Sequence, residues 1–376
     1  MKCPFDLTNK KQVIEFDEID PYNPDNRLKG FINRRQGKLY GALWITEVNG
    51  EKCEQLIYSA PKQHYPHDRN DNWDFPDYEK IELYEKLDGT CIISYNYSDV
   101  YGNVYLTYKT RLRPFLGTGK YGNFFELWNE MRDKYSNIDY LCSISGCNYV
   151  FELYGKRNKI LIDYDVPLDT KFIFFINATS GHIYTPNQFI LYLKNIIPYN
   201  ECMGTLKQIT PESYDIHKQY LESVLDIDED NKIMKGMEGY VMYFMKDNIA
   251  TQIKCKPKSV LKYHWSGDAI PFESVYTTVI NAFENFDEPT IDDINELLKE
   301  EFTMDKISKS YIRIKKCLEK VLFDKKYMHK LSKDYKEQGF NINKDKSTCM
   351  RWFAKHYPKS QATRIFNLLK RYEDET

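Results

Sequence analysis

No apolar run in this chain approaches the ~20 residues of a bilayer crossing. Phe172 to Ile176 is among the longest and has only the length of a strand. The opening MKCPFDL has no secretory apolar core. The nine cysteines never fall at C-x-x-C spacing, and Cys142 and Cys147 are too far apart for a zinc-knuckle pair. The seven histidines form no metal cluster; even His64 and His67 lie in a proline-containing loop. There is no internal repeat and no low-complexity tract. These absences argue against a membrane span, a zinc module, a disulfide scaffold and a solenoid. They set the expectation of a cytoplasmic protein with reduced thiols.

What is present is size, aromatic side chains and a lopsided charge. A chain of 376 residues can bury a sizeable core in two or three domains. With 42% hydrophobic and 29% charged residues the balance is that of a soluble protein. The 31 tyrosines and 21 phenylalanines supply core packing, and surface for stacking on bases. Residues 301–376 hold 19 Lys/Arg and 10 Asp/Glu, a net of +9. The first 300 then hold 34 and 45 (53 − 19 and 55 − 10), a net of −11. A basic tail on an acidic body fits either a polyanion partner or a lysine-rich helical surface.

Along the chain, residues 37–61 read as two strands joined by a hairpin turn at Asn49-Gly50. Residues 61–77 read as a polar, aromatic loop leading to YEKLDGT, where Lys86, Asp88 and Gly89 spell K-x-D-G. A lysine so placed is a candidate covalent nucleophile, the acid a candidate metal partner, and the glycine a point of close backbone approach. A second hairpin follows, turning at Gly102-Asn103, and period two puts Lys109 and Arg111 on one face. Asn123 with Glu126 starts a helix whose Phe124, Leu127, Trp128 and Met131 form a core stripe. In the next strand Tyr149, Phe151 and Leu153 face one way and Val150, Glu152 and Tyr154 the other. Glu152 therefore reaches solvent, a cation or a sugar hydroxyl, because an unpaired buried acid is costly. Residues 171–178 read as a strand buried on both faces, with a phenylalanine as a possible wall for a base. Helices are expected after Thr185 and over 211–224, and an acidic loop over 225–236. Strands 237–245 and 251–256 carry Glu238-Gly239 and the pair Lys254 and Lys256. Those lysines either bracket a polyphosphate or protect an edge strand. From 259 onward the pattern is helical, with a glycine stop at Gly339.

The order of these pieces is more telling than any one of them. Lys86-x-Asp88-Gly89, Lys109-Thr110-Arg111, Phe151-Glu152-Leu153, the 171–177 strand, Glu238-Gly239 and Lys254-x-Lys256 form one series. It resembles the covalent nucleotidyltransferases: DNA ligases, RNA ligases and RNA-capping enzymes. Within that group it is most similar to the ATP-dependent RNA ligases of bacteriophage tRNA repair. NGEKCEQLIYSAPKQHY resembles the hairpin before their nucleophile, and their C-terminal domain is all-helical rather than an OB fold. There are departures. The arginine of that family's N-terminal hairpin is replaced here by Ala42 or Leu43, with Arg34 or Arg35 as substitutes, and the spacing from Glu238 to Lys254 is longer. Thr90 and Cys91, not an arginine, follow K-x-D-G, unlike a DNA ligase.

The resemblance implies an α+β fold: an antiparallel-sheet, ATP-grasp-like adenylyltransferase domain over 1–258, with an N-terminal subregion 1–80, and a basic helical domain over 259–376. It implies ATP with magnesium, or manganese in its place. A free lysine has a pKa near ~10.4, so about one in a few thousand is a neutral amine at pH 7. Nearby positive charge must lower that value before attack. By resemblance Lys86, Lys254 and Lys256 are catalytic. Glu85, Lys109, Arg111, Glu152, Phe172 and Glu238 complete the ATP site, with Phe172 stacked on adenine. Asp88, Glu152 and Glu238 attend the metal. Lys315, Lys316, Lys325, Lys326, Arg351 and Arg371 contact RNA. The partner is RNA with 5′-phosphate and 3′-hydroxyl ends, tRNA among the candidates, with no membrane and no sign of a protein partner. Composition rich in Asn, Lys, Ile and Tyr fits an AT-rich, viral source, hence a host cytoplasm. The alternatives are a capping guanylyltransferase and an idle RNA-binding protein.

Overall fold

The computed structural model describes residues 2–10, 12–35, 37–67, 72–117, 123–144, 146–189, 193–194, 196–228, 233–257, 259–260, 270–299, 302, 304–358 and 361–375. The fold is α+β: antiparallel sheets followed by helices. Strands β1 (Val13–Ile19), β2 (Arg27–Asn33), β3 (Leu43–Val48) and β4 (Glu51–Ile57) make a four-stranded meander. Its β3–β4 turn is the expected one, with Asn49 and Gly50 both at positive φ (55° and 82°). The first two strands were not singled out in the sequence.

The second sheet has nine strands in the order β11-β5-β14-β15-β10-β9-β8-β6-β7, and every pair is antiparallel. These are β5 (Lys80–Glu85), β6 (Thr90–Ser98), β7 (Val104–Thr110), β8 (Cys147–Tyr154), β9 (Asp169–Asn177), β10 (Ile183–Tyr184), β11 (Cys202–Leu206), β14 (Tyr240–Lys246) and β15 (Ile249–Cys255). Strands β5 and β6 are neighbours in the chain yet lie in opposite halves of the sheet. One buried cluster contains Tyr84, Val241, Tyr243 and Ala250 from one half and Cys91, Ile93, Val150 and Phe174 from the other. The sheet therefore folds over on itself about the two-residue β10. K-x-D-G is the short crossing between the two halves.

Each half is covered on its outer face. Helix α1 (Phe124–Lys134) and α2 (Ile138–Ser143) pack Trp128, Met131 and Leu141 on Tyr108, Phe151 and Phe172. Asn123 caps α1 as expected, accepting from the Glu126 amide at 3.0 Å. Helix α3 (Pro211–Ser223), capped by Thr210 and Ser213, packs Tyr214 and Leu221 on Met242, Phe244 and Cys255. The helix expected after Thr185 opens as a 3-10 turn over Pro186–Phe189, and Leu193 is helical. One expectation changes. Within the expected acidic loop, β12 (Asp226–Asp228) and β13 (Ile233–Lys235) pair antiparallel, since Ile227 and Met234 can pack on Ile162 and Val260.

From 270 onward the described residues are helical: α4 (Phe272–Ala282), α5 (Ile291–Leu298), α6 (Met304–Lys309), α7 (Tyr311–Glu337), α8 (Lys346–His356) and α9 (Ala362–Glu375). They bury two clusters of their own, one around Val279, Ile294 and Ile314 and one around Leu331, Phe353 and Leu369. The boundary proposed at 258/259 falls beside residues outside those described. No described helix is long and apolar enough to cross a membrane. Trp128 is fully buried under the sheet. Trp128→Ala should cost about 3–5 kcal/mol in urea unfolding, because the wall of α1 cannot collapse into the gap.

Candidate active site

Lys86 follows the last residue of β5, and its amide donates to the Gly239 carbonyl at 2.8 Å. Tyr240 pairs with Glu85, so Glu238 and Gly239 lie alongside Lys86. Gly239 is required by crowding: a Cβ there would sit 2.2 Å from the Cys255 carbonyl oxygen. Lys86 Nζ lies 2.5 Å from Glu238 Oε2, and Lys256 Nζ lies 2.5 Å from Oε1 of the same carboxylate. Glu238 is only 4% exposed. Burial alone would raise its pKa, but the two ammonium groups outweigh burial and bring it down to about 2.

The crossing 86–89 is pinned from the other half. Gly89 donates its amide to Glu152 Oε1 at 3.1 Å, and a Cβ on Gly89 would meet the Leu153 carbonyl at 2.2 Å. This glycine serves close approach of two backbones rather than a left-handed turn. Asp88 Oδ2 accepts from the amides of Leu161 (2.5 Å) and Ile162 (2.7 Å), and the Asp88 amide donates to the Tyr164 hydroxyl at 2.8 Å. Burial, then Glu238, push the Asp88 carboxyl up to about 6 against those amides and Lys86. Glu152 is pushed up to about 8 by burial, with Lys86 opposing.

Arg111 lies one residue past β7 and lines the cleft, and its Nε is buried with no hydrogen-bond partner. Its neighbour across the cleft comes from the helical part of the chain. Glu284, two residues past α4, accepts from Thr90 Oγ1 at 3.0 Å, and its carbonyl accepts from Thr110 Oγ1 at 2.5 Å. Burial pushes its carboxyl up to about 7, with Arg111 opposing. Asn281 also lines the cleft, and its Oδ1 is buried without a partner.

Lys254 is held at three points. Its amide donates to the His64 carbonyl (3.0 Å), its carbonyl accepts from the Tyr214 hydroxyl (2.7 Å), and its ammonium lies over the Tyr65 ring, 4.3 Å from the centroid. Strand β15 runs between β14 and β10. The edge-protection reading of Lys254 and Lys256 is thereby set aside.

These side chains surround one cleft of about 230 Å³, lined by Glu85, Lys86, Asp88, Arg111, Glu152, Glu238, Lys254 and Lys256 among others. A second cavity of about 190 Å³ shares Asp88, Arg111, Glu238, Lys256 and Glu284 with it. The sequence-derived residues that do not join them have physical reasons. Phe172 is fully buried on the outer face with Tyr149 and Phe151. In the β8–β9 register Phe151 faces Phe172 while Val150 faces Phe174, so β9 carries one extra residue. That bulge shifts the alternation, and Ile173 and Phe174 line the cleft instead. Lys109 is fully buried, with Nζ bonded to the carbonyls of Gly41, Thr110 and Arg111 and to Ser59 Oγ. It braces the segment carrying Arg111 rather than meeting a ligand. Burial pulls its pKa down to about 7.

The three acids expected to attend the metal, Asp88, Glu152 and Glu238, all line the cleft. Among the described residues no group of three or more His, Cys, Asp or Glu side chains could hold a metal ion. Asp88 gives one oxygen to two amides and Glu238 gives both to lysines, so the residues fit an ion carried on phosphates and met through water. Neither candidate hairpin arginine lines the cleft: Arg34 stacks on Phe286 (4.6 Å) and Arg35 lines an N-terminal pocket. Lys62 lines the cleft and was missed, as were Gln252, Asn281 and Glu284. Lys62 stands in no pattern with K-x-D-G, and residues 281–284, at and just past the end of α4, carry no local signal. None of the tail residues named for RNA lines the cleft. Lys315, Lys316, Lys326 and Arg351 are exposed, Lys325 lies over the Phe283 ring (4.6 Å), and the side chain of Arg371 is outside the described residues.

No protein-family model matches the chain, and neither does any curated protein. Solved structures do. An archaeal ATP-dependent RNA ligase is similar at 13% identity over 94% of this chain and 92% of that one, with a TM-score of 0.45. A chain assigned by name as an ATP-dependent DNA ligase from Aquifex aeolicus is similar at 10% identity over 93% and 86%, TM-score 0.45. A variant RNA ligase from Naegleria gruberi, solved with ATP and Mn, is similar at 10% identity over 67% and 98%, TM-score 0.35. The structural neighbours are thus ATP-dependent RNA ligases and a DNA ligase. At these scores nothing about activity follows from the likeness.

The raised acids have a measurable consequence. A carboxyl whose folded pKa lies above its unfolded value binds a proton in the folded state that the unfolded state releases. Its contribution is present below the unfolded pKa, near ~4.3, and is lost as pH rises through the folded value. Glu284→Gln keeps an acceptor for Thr90 and removes that loss. Relative to the parent, its melting temperature should climb by on the order of a few °C between pH 5 and pH 8. A pH-independent difference would contradict the raised Glu284 carboxyl.

Proposed function

We propose that this protein is an ATP-dependent RNA ligase that carries AMP on Lys86. What supports the reading is the meeting of Lys86, Glu238, Lys254 and Lys256 in one cleft, beside an Arg111 whose buried Nε awaits an acceptor. An anionic ligand answers both needs: cations on one wall and an unmet donor on the other.

The resting contacts suggest how the nucleophile is released. Glu238 holds the Lys86 ammonium, and an acid with a pKa of about 2 is a poor base. Phosphate oxygens entering beside Lys254 and Lys256 compete with Glu238 for Lys256. Once Lys256 turns to phosphate, Glu238 loses one of its two counter-charges and its proton affinity rises. It then takes the proton from Lys86, 2.5 Å away. The neutral amine attacks the α-phosphorus, the N–P bond forms, and the bond to the β-phosphate oxygen breaks as pyrophosphate leaves. Lys254 and Lys256 offset charge on the phosphate oxygens. A magnesium or manganese ion would neutralise phosphate charge, with Glu152 and Glu238 reaching its waters.

In the second and third steps AMP passes to an RNA 5′-phosphate, and a 3′-hydroxyl displaces it to seal the strand. Residues 1–258 form the adenylyltransferase domain and 259–376 the helical domain. Exposed Lys315, Lys316 and Lys326 on α7, with Arg351 and Arg371 on the last two helices, contact RNA phosphates. RNA or tRNA repair in a cytoplasm is the setting this chemistry serves.

Incubation with α-labelled ATP and magnesium should leave label on the protein. Lys86→Ala should abolish it, and 5′-phosphorylated RNA added to the labelled protein should be joined or circularised. Label from GTP in preference to ATP would favour a capping guanylyltransferase. RNA affinity should fall steeply with added salt, and replacing Lys315 and Lys316 together by Glu should lower it about tenfold or more at low salt while sparing the protein label. An unlabelled wild-type protein ends the ligase reading.

A further inference from the structure

Gln252 lies on β15 two residues before Lys254, opposite Tyr243 of β14. It is 6% exposed and lines the cleft beside Ile173, Phe174, Val241 and Tyr243. Both of its amide atoms, Oε1 and Nε2, are buried without a hydrogen-bond partner of good geometry. A fully unmet amide in an apolar wall is uncommon, and such a group asks for a ligand. The neighbouring hydroxyl fixes which end of the amide is offered. Tyr243 donates to the Ile173 carbonyl at 3.2 Å, which leaves its oxygen as an acceptor facing Gln252. The Gln252 amide lies opposite Tyr243 on the paired strand. Nε2 is therefore drawn toward Tyr243, and Oε1 is turned to the cleft as an acceptor.

We infer that Gln252 is the specificity-determining residue that reads the exocyclic amino group of the nucleotide base. The inference rests on the nucleotidyl-transfer reading of the same cleft. Lys254 and Lys256 share the face of Gln252 and stand at the phosphate end, so a nucleotide laid along β15 brings its base to Gln252. Phe174, Ile173 and Val241 supply an apolar bed for a flat ring. Adenine offers an N6 amino donor at its edge, whereas hypoxanthine and guanine offer an O6 acceptor there. An acceptor facing an acceptor leaves both unmet, so the 6-oxo purines are disfavoured.

The test compares ATP with ITP, which replaces the amino group by oxygen, in equilibrium binding and in labelling of the protein. Wild type should favour ATP by about tenfold or more. Gln252→Leu should raise the KM for ATP about tenfold, change the maximal labelling rate less than about threefold, and bring ATP and ITP within about threefold of each other. The same substitution removes two unmet buried polar atoms, so the nucleotide-free variant should melt no lower than wild type. A Gln252→Leu protein that keeps the wild-type ATP affinity and the wild-type preference over ITP overturns the inference. Selective ATP binding through Gln252 without label on Lys86 would overturn the covalent reading and leave this one standing. Failure of wild type to bind either nucleotide would overturn both.

Discussion

One buried carboxylate organises the centre of this molecule. Glu238 receives Lys86 on one oxygen and Lys256 on the other, at 2.5 Å each. A charge so far from water is tolerable only because it is doubly paired. The same pairing occupies Lys86, the candidate nucleophile. That contact braces the cleft. In the reaction proposed above, an incoming anion competes for one of the two lysines.

That contact depends on the folded-over sheet. Glu238, Lys254 and Lys256 belong to the half built on β14 and β15, while Glu152 and Arg111 belong to the half built on β8 and β7. Lys86 and Asp88 lie on the crossing between them. Asp88 holds the amides of Leu161 and Ile162, and Gly89 holds Glu152, so the crossing is tied at both ends. Crowding by the carbonyls of Leu153 and Cys255 leaves room only for glycine at 89 and 239. The two glycines of the motifs thus serve the joining of backbones, and the chemistry follows from the closeness they permit.

Much of this was legible before the structure because it rests on local rules. Asn49-Gly50, the Asn123 cap and the alternation around Glu152 each act over a few residues, and each appears where the sequence put it. Lys86, Glu238, Lys254 and Lys256 were legible as an ordered set, though their shared carboxylate was not. What failed was long-range or phase-dependent. The resemblance chose Phe172 for the cleft, but the extra residue in β9 shifts the phase and gives that place to Phe174. Period two aligned Lys109 with Arg111, yet Arg111 has left the strand and Lys109 turns to Gly41 and Ser59. Sequence could not show that Asp88 also accepts two amides, those of residues 161 and 162. Glu284 and Gln252 were illegible for a similar reason: their meaning comes only from what lies across the cleft.

The attachment of Glu284 bears on how such a chain can diversify. Thr90 and Thr110, both on the nine-stranded sheet, bond to this one residue of the helical part, and Arg113 meets Asp287 through two hydrogen bonds of 2.5 and 2.9 Å. A C-terminal appendage that merely recruited substrate could be exchanged for another by recombination. Here the helical part also lines the cleft, through Asn281 and Glu284. An exchanged module would have to bring an acceptor to Thr90 and another to Thr110.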